Sequence, residues 1–363
     1  MKYNLIIDGR MLIGSWRLRG ISKYMRSLVV NQNSVVYLSP KTKLETYLPP
    51  NKTIKFGFNS YFLWEQISLP IRLMFIKHNY VLFPSTTAPV IINRKKSIFV
   101  VYDLIFLKNV NTKTPKQKIS SLYRKLITSI NIKFSKEIIC ISHYTKDEII
   151  QNYSLKPNQK ITVIHCSIEN KWFDDDINII KTEKYFLTVS GSLESKNLVR
   201  VLKAFKKFNS LLDEKYKLKI VGISGEKDIL FRKKINDLKL LNFVELISNV
   251  SDDQLITLYD NASLSLTLST HEGFGFPVVE AMSRKTPVLV SNCSSIPEVA
   301  GPNAIYANPY DIDDIYDNLI YFHNMNPDDL IDMINRNYNY SKKFSQRSLT
   351  TNVNLFWKNL SQN

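Results

Sequence analysis

The second half of the chain alternates short apolar runs with longer amphipathic stretches, and this regularity constrains the fold more than any other feature. The runs predict strands at Tyr185–Gly191, Lys217–Ile223, Asn242–Ile247, Leu264–Ser269, Pro287–Ser291 and Ala304–Ala307, and the stretches predict helices at Asn197–Leu212, Glu226–Leu240, Asp252–Ala262 and from Val278 onward. Strands that alternate with helices form parallel sheets with helices on both faces. We therefore expect an α/β, doubly wound domain whose ligands bind outside the carboxyl ends of the strands.

The first half repeats this alternation less cleanly. Strands are predicted at Leu5–Asp8, Val35–Leu38, Val81–Phe83, Ile98–Tyr102, Ile138–Ile141 and Ile161–Ile164, with helices near 21–31, 61–77, 116–134 and 145–152. A length of 363 residues suits two domains of ordinary size, and the acidic stretch Glu169–Lys184 separates the two patterns. We predict domains at 1–170 and 171–340, followed by a last segment at 341–363 with Ser341–Leu360 as its helix.

A Gly-rich turn after the fourth strand of the second half carries two glutamates, Glu272 and Glu280, eight positions apart. Gly273 and Gly275 let the backbone approach a ligand closely, and Pro277 suits the first turn of a helix. The N–H groups at a helix start favour an anion such as a diphosphate. Two carboxylates beside an anion site suit a nucleotide sugar. The structural alternative is a turn in which Glu280 only complements a helix dipole.

Two other turns carry candidate ligand contacts. Residues 189–197 again read as strand, tight turn and helix, with Ser192 in the turn and Lys196 at the helix start. A lysine in this position can reach a diphosphate, although it also suits a solvated helix start. Near the N-terminus, Gly20 and Ser22 open a helix, where small residues let the backbone pass close to a ligand. A plain helix cap is the alternative there.

These motifs resemble those of the large retaining glycosyltransferase family commonly numbered four, whose members have the GT-B fold. The two glutamates match its E-x7-E motif, and Arg19–Tyr24 resembles its Gly-Ile-Gly-Arg-Tyr turn. Leu63–Pro70, with its Trp-Glu-Gln, and Pro84–Pro89 resemble bacterial O-antigen and capsule transferases. Tyr102–Asp103 resembles a strand end that usually reads His-Asp. The chain departs from the family pattern in three residues: Ser195 precedes Lys196 where arginine is usual, Ser22 replaces a glycine, and Tyr102 replaces the histidine.

The resemblance implies a role for each matching residue. Glu272 would contact the donor sugar, Glu280 the ribose hydroxyls and Lys196 the diphosphate, and Asp103 is left as the polar group near the reacting carbon. The predicted catalytic residues are Glu272, Asp103 and Lys196, and the predicted donor-binding residues are Glu280, Gly273, Phe274, Gly275, Phe276, Lys196, Ser192, Gly20 and Ser22. The resemblance also implies two Rossmann-like domains facing a central cleft, an acceptor-binding first domain, a nucleotide-sugar-binding second domain, and a C-terminal helix that crosses back to the first.

The expected reaction moves a hexose from a nucleotide diphosphate sugar to a lipid-linked saccharide in surface polysaccharide synthesis, with retention. The resemblance favours a GDP-mannose-like donor and leaves GDP-fucose, dTDP-rhamnose and UDP-hexoses open. No cofactor and no metal are expected, and no Asp-x-Asp loop is apparent. Two alternatives remain: a nucleotide-sugar 2-epimerase of the same fold, and a non-catalytic basic protein that binds nucleic acid or lipopolysaccharide.

The net positive charge is confined to the first half of the chain. Residues 1–170 hold 26 Lys+Arg against 8 Asp+Glu, whereas residues 171–363 hold 23 against 24. Such a basic half predicts an anionic partner. No nucleic-acid-binding signature accompanies it, so we expect an anionic membrane surface instead, with the basic amphipathic helix 116–136 as one candidate contact.

The chain shows no apolar run long enough to span a bilayer and no signal peptide. We therefore expect a cytoplasmic protein, peripheral on the inner face of the membrane. Its cysteines, Cys140, Cys166 and Cys293, lie in or beside apolar strands without metal-site spacing, which predicts reduced core residues.

Overall fold

The computed structural model describes residues 2–14, 20–29, 32, 34–42, 48–107, 115–177 and 183–362. The chain divides into two compact units. The first unit contains Met1–Cys166 and Leu349–Asn363, and the second contains Ser167–Ser348. Each unit is built around its own parallel sheet.

The described residues of the first unit form a seven-stranded parallel sheet in the order β3-β2-β1-β4-β5-β6-β7. Its strands are β1 Lys2–Asp8, β2 Val35–Pro40, β3 Thr53–Phe56, β4 Lys77–Phe83, β5 Ser97–Val101, β6 Glu137–Cys140 and β7 Lys160–Val163. Its first helices are α1 Gly20–Leu28, α2 Tyr61–Leu63, a π-helical turn at Trp64–Ser68, and α3 Leu69–Phe75. The longer helices α4 Pro115–Phe134 and α5 His143–Asn152 follow.

The second unit has a six-stranded parallel sheet in the order β10-β9-β8-β11-β12-β13 across its described strands. The strands are β8 Tyr185–Val189, β9 Lys217–Val221, β10 Val244–Ile247, β11 Leu264–Thr267, β12 Val288–Ser291 and β13 Ile305–Ala307. The helices are α6 Leu198–Leu211, α7 Glu226–Asp237, α8 Asp252–Asn261, α9 Phe276–Ser283, α10 Ile296–Ala300, α11 Ile312–His323, α12 Pro327–Ser341 and α13 Gln346–Ser361, the last of which runs on into the first unit.

The predicted α/β class with doubly wound parallel sheets is confirmed. Strands buried on both faces read as continuous apolar runs, and the four residues of β11 and of β12 are all buried. The sequence analysis missed β3, a half-buried edge strand whose apolar pattern is weak. It also expected a helix from Ser341, whereas α12 ends there and α13 begins at Gln346, because extended backbone at Ser345 interrupts the helical pattern.

Strand order defines one switch point in each sheet, where neighbouring strands are followed by connections that leave in opposite directions. It lies between β1 and β4 in the first unit and between β8 and β11 in the second. Ligands of doubly wound sheets bind beyond the carboxyl ends of the strands at such points. Across the part of the chain that the structure describes, no helix is both long and apolar enough to cross a membrane.

Candidate functional site

The turns after β8 and β11 meet at the switch point of the second sheet. The backbone N–H of Thr270 donates to the carbonyl of Ser195 at 2.8 Å. The side chain of Asn197 donates to the carbonyls of Leu268 at 2.9 Å and Pro309 at 2.6 Å. Asn197 itself adopts a left-handed conformation with φ of 61°, which asparagine tolerates better than most residues. These bonds bring the two predicted ligand loops side by side.

The centre of this site is an ion pair between Lys196 and Glu272. The lysine Nζ lies 2.5 Å from Oε1 of the glutamate, and the hydroxyl of Ser269 donates to the same oxygen at 2.7 Å. Both charged side chains keep partial exposure, 22% for the lysine and 15% for the glutamate. The two residues are therefore paired yet open to solvent, so a ligand anion can compete for the lysine.

Two serines after β12 hold the backbone of the loop that carries Glu272. The backbone N–H of Glu272 donates to the hydroxyl of Ser294 at 3.2 Å. The hydroxyl of Ser295 bonds the carbonyls of Glu272 and Phe274, both at 2.9 Å. Both serines therefore bond the backbone of the loop that carries Glu272. Their signal in the sequence was a polar loop directly after a buried strand.

Gly275 sets the start of helix α9. Its φ of 114° lies in the region that favours glycine, and a Cβ here would stand 2.7 Å from the Cδ1 of Ile296. Phe274 is buried against Phe276 and Phe344, so its side chain belongs to the core. Phe276 is half-buried at the first helical position. The turn is therefore shaped by a glycine that no other residue replaces without strain.

Glu280, one turn into α9, is oriented by a buried tyrosine. The hydroxyl of Tyr259 donates to its Oε2 at 3.1 Å and also reaches the carbonyl of Pro277 at 3.3 Å. Burial raises the pKa of the Tyr259 hydroxyl well above its usual range, and the Glu280 carboxylate raises it further. The tyrosine thus stays a proton donor to the carboxylate. Nothing in the spacing of the sequence pointed to this residue.

The remaining predicted residues of the second unit lie on the same two loops. Gly273 is half-buried between Glu272 and Phe274, and Ser192 is half-buried in the turn after β8. The structure therefore brings together the predicted residues 192, 196, 272–276 and 280 around one switch point.

The predicted residues of the first unit lie on separate elements. Asp103 follows β5 and is half-buried, and its Oδ1 accepts the backbone N–H of Ile105 at 3.1 Å. Gly20 is the first residue of α1. Ser22 is completely buried, and its hydroxyl has no hydrogen-bond partner among the described residues. Arg19, which belongs to the same motif, lies outside those residues.

The sequence analysis missed a buried charge network at the switch point of the first sheet. Arg10 follows β1 and contacts two carboxylates, with its Nε 2.8 Å from Oδ2 of Asp8 and its Nη2 against Oε2 of Glu65. The guanidinium also donates to the carbonyl of Thr87 at 3.0 Å and lies over the ring of Tyr61. Asp8 and Glu65 are fully buried. Burial raises the pKa of Asp8, while the Arg10 guanidinium opposes this effect.

The network extends into the Trp-Glu-Gln segment. Trp64 is buried, and its indole N–H donates to Oδ1 of Asp8 at 3.1 Å. The other carboxylate oxygen of Glu65 accepts from Tyr123 at 2.5 Å and from Gln66 at 2.9 Å. The π-helical turn at Trp64–Ser68 thus supplies both a core side chain and a buried charge.

Comparison with known proteins finds a family model that matches part of the second half of the chain. Residues 170–342 match the family described as Glycosyl transferases group 1. The chain is 32% identical over 197 residues to the O-antigen chain mannosyltransferase RfbU of Salmonella typhimurium, with 54% of each protein covered. It is 27% identical over 209 residues to O-antigen chain mannosyltransferase B of Escherichia coli, covering 55% of this chain and 54% of that protein. The chain thus spans about half the length of these curated relatives.

The fold is also shared with solved structures. A sucrose-phosphate synthase from Thermosynechococcus elongatus superimposes with a TM-score of 0.74 over all of both chains, at 14% identity. At this identity the likeness shows the fold alone, and it confirms the two-domain GT-B architecture.

Proposed function

We propose that this chain, whose residues 170–342 match the Glycosyl transferases group 1 family, is a retaining hexosyltransferase that uses a nucleotide diphosphate sugar. The observation that carries the proposal is the Lys196–Glu272 pair at the switch point of the second sheet, beside the start of α9. This site offers a cation and a helix start to a diphosphate, and carboxylates to sugar hydroxyls.

In the proposed reaction the bond between the anomeric carbon and the diphosphate breaks as the acceptor hydroxyl attacks from the same face. The new glycosidic bond forms, the nucleoside diphosphate leaves, and the acceptor proton passes to the departing diphosphate oxygen. Lys196 and the helix start stabilise the charge that develops on the leaving group, which is where electrostatic catalysis is most effective. Glu272 holds the sugar, and Glu280 binds the ribose. No metal is required in this scheme.

We further propose a GDP-mannose-like donor and a lipid-linked saccharide acceptor bound by the first unit, at the inner face of the membrane. Support for mannose comes from the names of the two relatives, both of which are O-antigen chain mannosyltransferases. GDP-fucose, dTDP-rhamnose and UDP-hexoses are the other donors to compare.

The test is a thermal-stability panel of nucleotide sugars, followed by turnover with the donor that stabilises most. A ligand at about one hundred times its dissociation constant stabilises a protein by about 2.7 kcal/mol. Glu272→Gln should lower turnover by about a hundredfold or more. Glu194→Gln, an exposed position on the neighbouring loop, is the matched control and should keep wild-type turnover.

Five outcomes would contradict the proposal. If no nucleotide sugar stabilises the protein, the proposed donor site is wrong. If Glu272→Gln keeps the wild-type rate, the proposed role of that residue is wrong. An inverted product anomer, read by nuclear magnetic resonance, would exclude retention. Turnover of the donor without any acceptor would favour the 2-epimerase. Binding to polyanions that survives loss of both glutamates, without turnover, would favour the non-catalytic protein.

A further inference from the structure

The most exposed large apolar side chains among the described residues lie in one region of the first unit. Ile91 is 83% exposed, Met74 is 80% exposed and Phe75 is 78% exposed. Met74 and Phe75 end helix α3, and Ile91 lies in the connection between β4 and β5. Single exposed apolar residues are ordinary, but a cluster of the largest exposures indicates an interaction surface.

A groove of about 710 Å³ connects these elements. Met74 and Ile91 line it together with Leu73 and Ile76, and Lys77 and Lys96 are also among its lining residues. The groove reaches the first residues of β4 and β5, which puts it at the amino edge of the sheet. Asp8 and Arg10 follow the carboxyl end of β1 at the opposite edge, so the groove is distinct from the switch point.

The apolar surface continues along one side of the helical segment that ends in α3. Ile71, Met74 and Phe75 of α3 follow the i, i+3, i+4 spacing of one helix face, and Ile71 is 52% exposed. Ile67, which is 40% exposed, lies in the preceding π-helical turn. An apolar stripe on the solvent side of a helix is the reverse of the usual arrangement.

Helix α4 carries a second exposed apolar stripe next to this segment. Ile119, Leu122 and Leu126 are 70%, 68% and 57% exposed and lie at i, i+3 and i+7. Phe62, which is 51% exposed, packs edge-on against Tyr123 of α4 with ring centroids 5.5 Å apart. The candidate basic helix of the sequence analysis therefore adjoins the surface, although the side chain of Lys116 lies outside the described residues.

The charged side chains along the segment that carries Met74, Phe75 and Ile91 have one sign. Between residues 66 and 101 the sequence contains five basic residues and no aspartate or glutamate. Lys77 and Lys95 are exposed. A second copy of this chain would oppose positive charge to positive charge. An anionic bilayer offers negative headgroups above an apolar interior, which complements both features.

We propose that the docking face, defined as Met74, Phe75, Ile91, Lys77 and Lys95, binds the chain to an anionic lipid surface. The three apolar side chains enter the boundary between headgroups and acyl chains, and the two lysines contact the headgroups. This inference deepens the proposed function by naming the residues that would bring the enzyme to a lipid-linked acceptor. The lipid contact itself requires neither donor nor acceptor.

The experiment is vesicle flotation of the full chain at low salt. Vesicles of phosphatidylcholine alone are compared with vesicles that also contain phosphatidylglycerol. Wild type should float with the anionic vesicles, and the triple variant Met74→Ser, Phe75→Ser, Ile91→Ser should bind at least about tenfold more weakly. The matched control is Ile229→Ser, Leu230→Ser on α7 of the second unit, which removes side chains that are 70% and 54% exposed and should float like wild type.

Two further variants separate the apolar and electrostatic contributions. Lys77→Gln with Lys95→Gln should weaken binding by about fivefold for each charge removed, and the loss should vanish in high salt. Phe75→Trp should shift its fluorescence emission to the blue with anionic vesicles only. All of these positions are exposed, so melting temperatures near wild type are expected and verify the fold.

The outcomes distinguish this inference from the proposed function. Absence of flotation in wild type, equal binding by the triple variant, or binding to neutral vesicles would overturn the docking face. A wild-type dimer that the triple variant converts to a monomer, without flotation of either, would assign the face to a second copy and also overturn it. Absence of flotation in wild type, with its nucleotide-sugar stabilisation retained, rejects only the docking face. Flotation of the wild type without stabilisation by any nucleotide sugar rejects only the proposed function.

Discussion

Lys196 and Glu272 form an ion pair with each other, and a bound diphosphate would replace the glutamate beside the lysine. Lys196→Ala should weaken nucleoside diphosphate binding by about 1.5–3 kcal/mol, the range of a charge-assisted hydrogen bond. A nucleoside monophosphate should lose less, because it lacks the phosphate that the lysine is proposed to contact. Calorimetric titration with GDP and GMP measures both. The exposed Lys203 of α6, changed to alanine, is the control. Equal weakening of GDP and GMP binding would show that the role of Lys196 is structural.

Tyr259 is predicted to act through Glu280 by holding its carboxylate in place. Tyr259→Phe removes one hydrogen bond and should lower nucleotide affinity by about 0.5–1.5 kcal/mol, with little change in maximal turnover. Because burial and the nearby carboxylate raise the pKa of this hydroxyl well above its usual range, the effect should be constant between about pH 6 and pH 9. Tyr321→Phe, at an exposed tyrosine, is the control. If Tyr259→Phe leaves nucleotide affinity unchanged while Glu280→Gln lowers it, the positioning role of Tyr259 is excluded.

The cysteines are expected to differ in reactivity because they differ in burial. Burial raises the pKa of the Cys140 thiol to about 12 and raises that of Cys166 well above its usual range, so both are expected to remain protonated and inert. Cys293 is half-buried, with its Sγ 3.6 Å from the carbonyl of Thr270, two residues before Glu272. A thiol reagent at pH 8 should label Cys293 first, and a bound nucleotide sugar should slow that labelling. Mass spectrometry identifies the labelled residue, and faster labelling of Cys140 or Cys166 would contradict the prediction.

At the scale of elements, the entry into α9 depends on one backbone conformation. Gly275→Ala places a Cβ 2.7 Å from Ile296 at a φ of 114°, so it should cost about 1–3 kcal/mol of unfolding free energy and weaken donor binding. Gly191→Ala is the matched control, because no atom lies within 4 Å of its Cβ position. Its effect should stay within about 0.5 kcal/mol. Thermal unfolding and donor titration are measured for both variants. Equal losses of stability and donor affinity would show that α9 can begin from another backbone conformation.

The π-helical turn at Trp64–Ser68 illustrates how an element shifts side chains relative to a regular helix. Sequence periodicity assigned one helix to 61–77, whereas the structure changes helical type within it. The turn supplies both Trp64 and Glu65 to the buried interior of the unit. Such turns are frequent at functional sites. A periodic apolar pattern accounts for the buried tryptophan, but it gives no reason for a carboxylate beside it.

At the scale of the whole molecule, the first unit contains the most buried charge network that the structure describes, formed by Arg10, Asp8 and Glu65. Arg10→Met leaves Asp8 and Glu65 without their guanidinium, so it should lower the unfolding free energy by about 3–5 kcal/mol. Arg232→Met breaks an exposed pair with Asp228 in the second unit and should cost about 1 kcal/mol or less. Urea titration compares the two. Similar losses of unfolding free energy in the two variants would mean that Asp8 and Glu65 become protonated or hydrated readily. The network would then have little structural role.

Local pattern was enough to predict the α/β class, most strands and helices to within a few residues, and the glutamate loop. This is because strands buried on both faces carry continuous apolar runs, and because glycine and proline mark turns wherever they occur. The tertiary structure alone decided which distant groups meet: Lys196 with Glu272, Arg10 with Glu65, and Met74 with Ile91 around one groove. Each of these pairs depends on strand order, which places residues far apart in the chain at one sheet edge. Periodicity records only the neighbours along a single element, so it contains no information about that order.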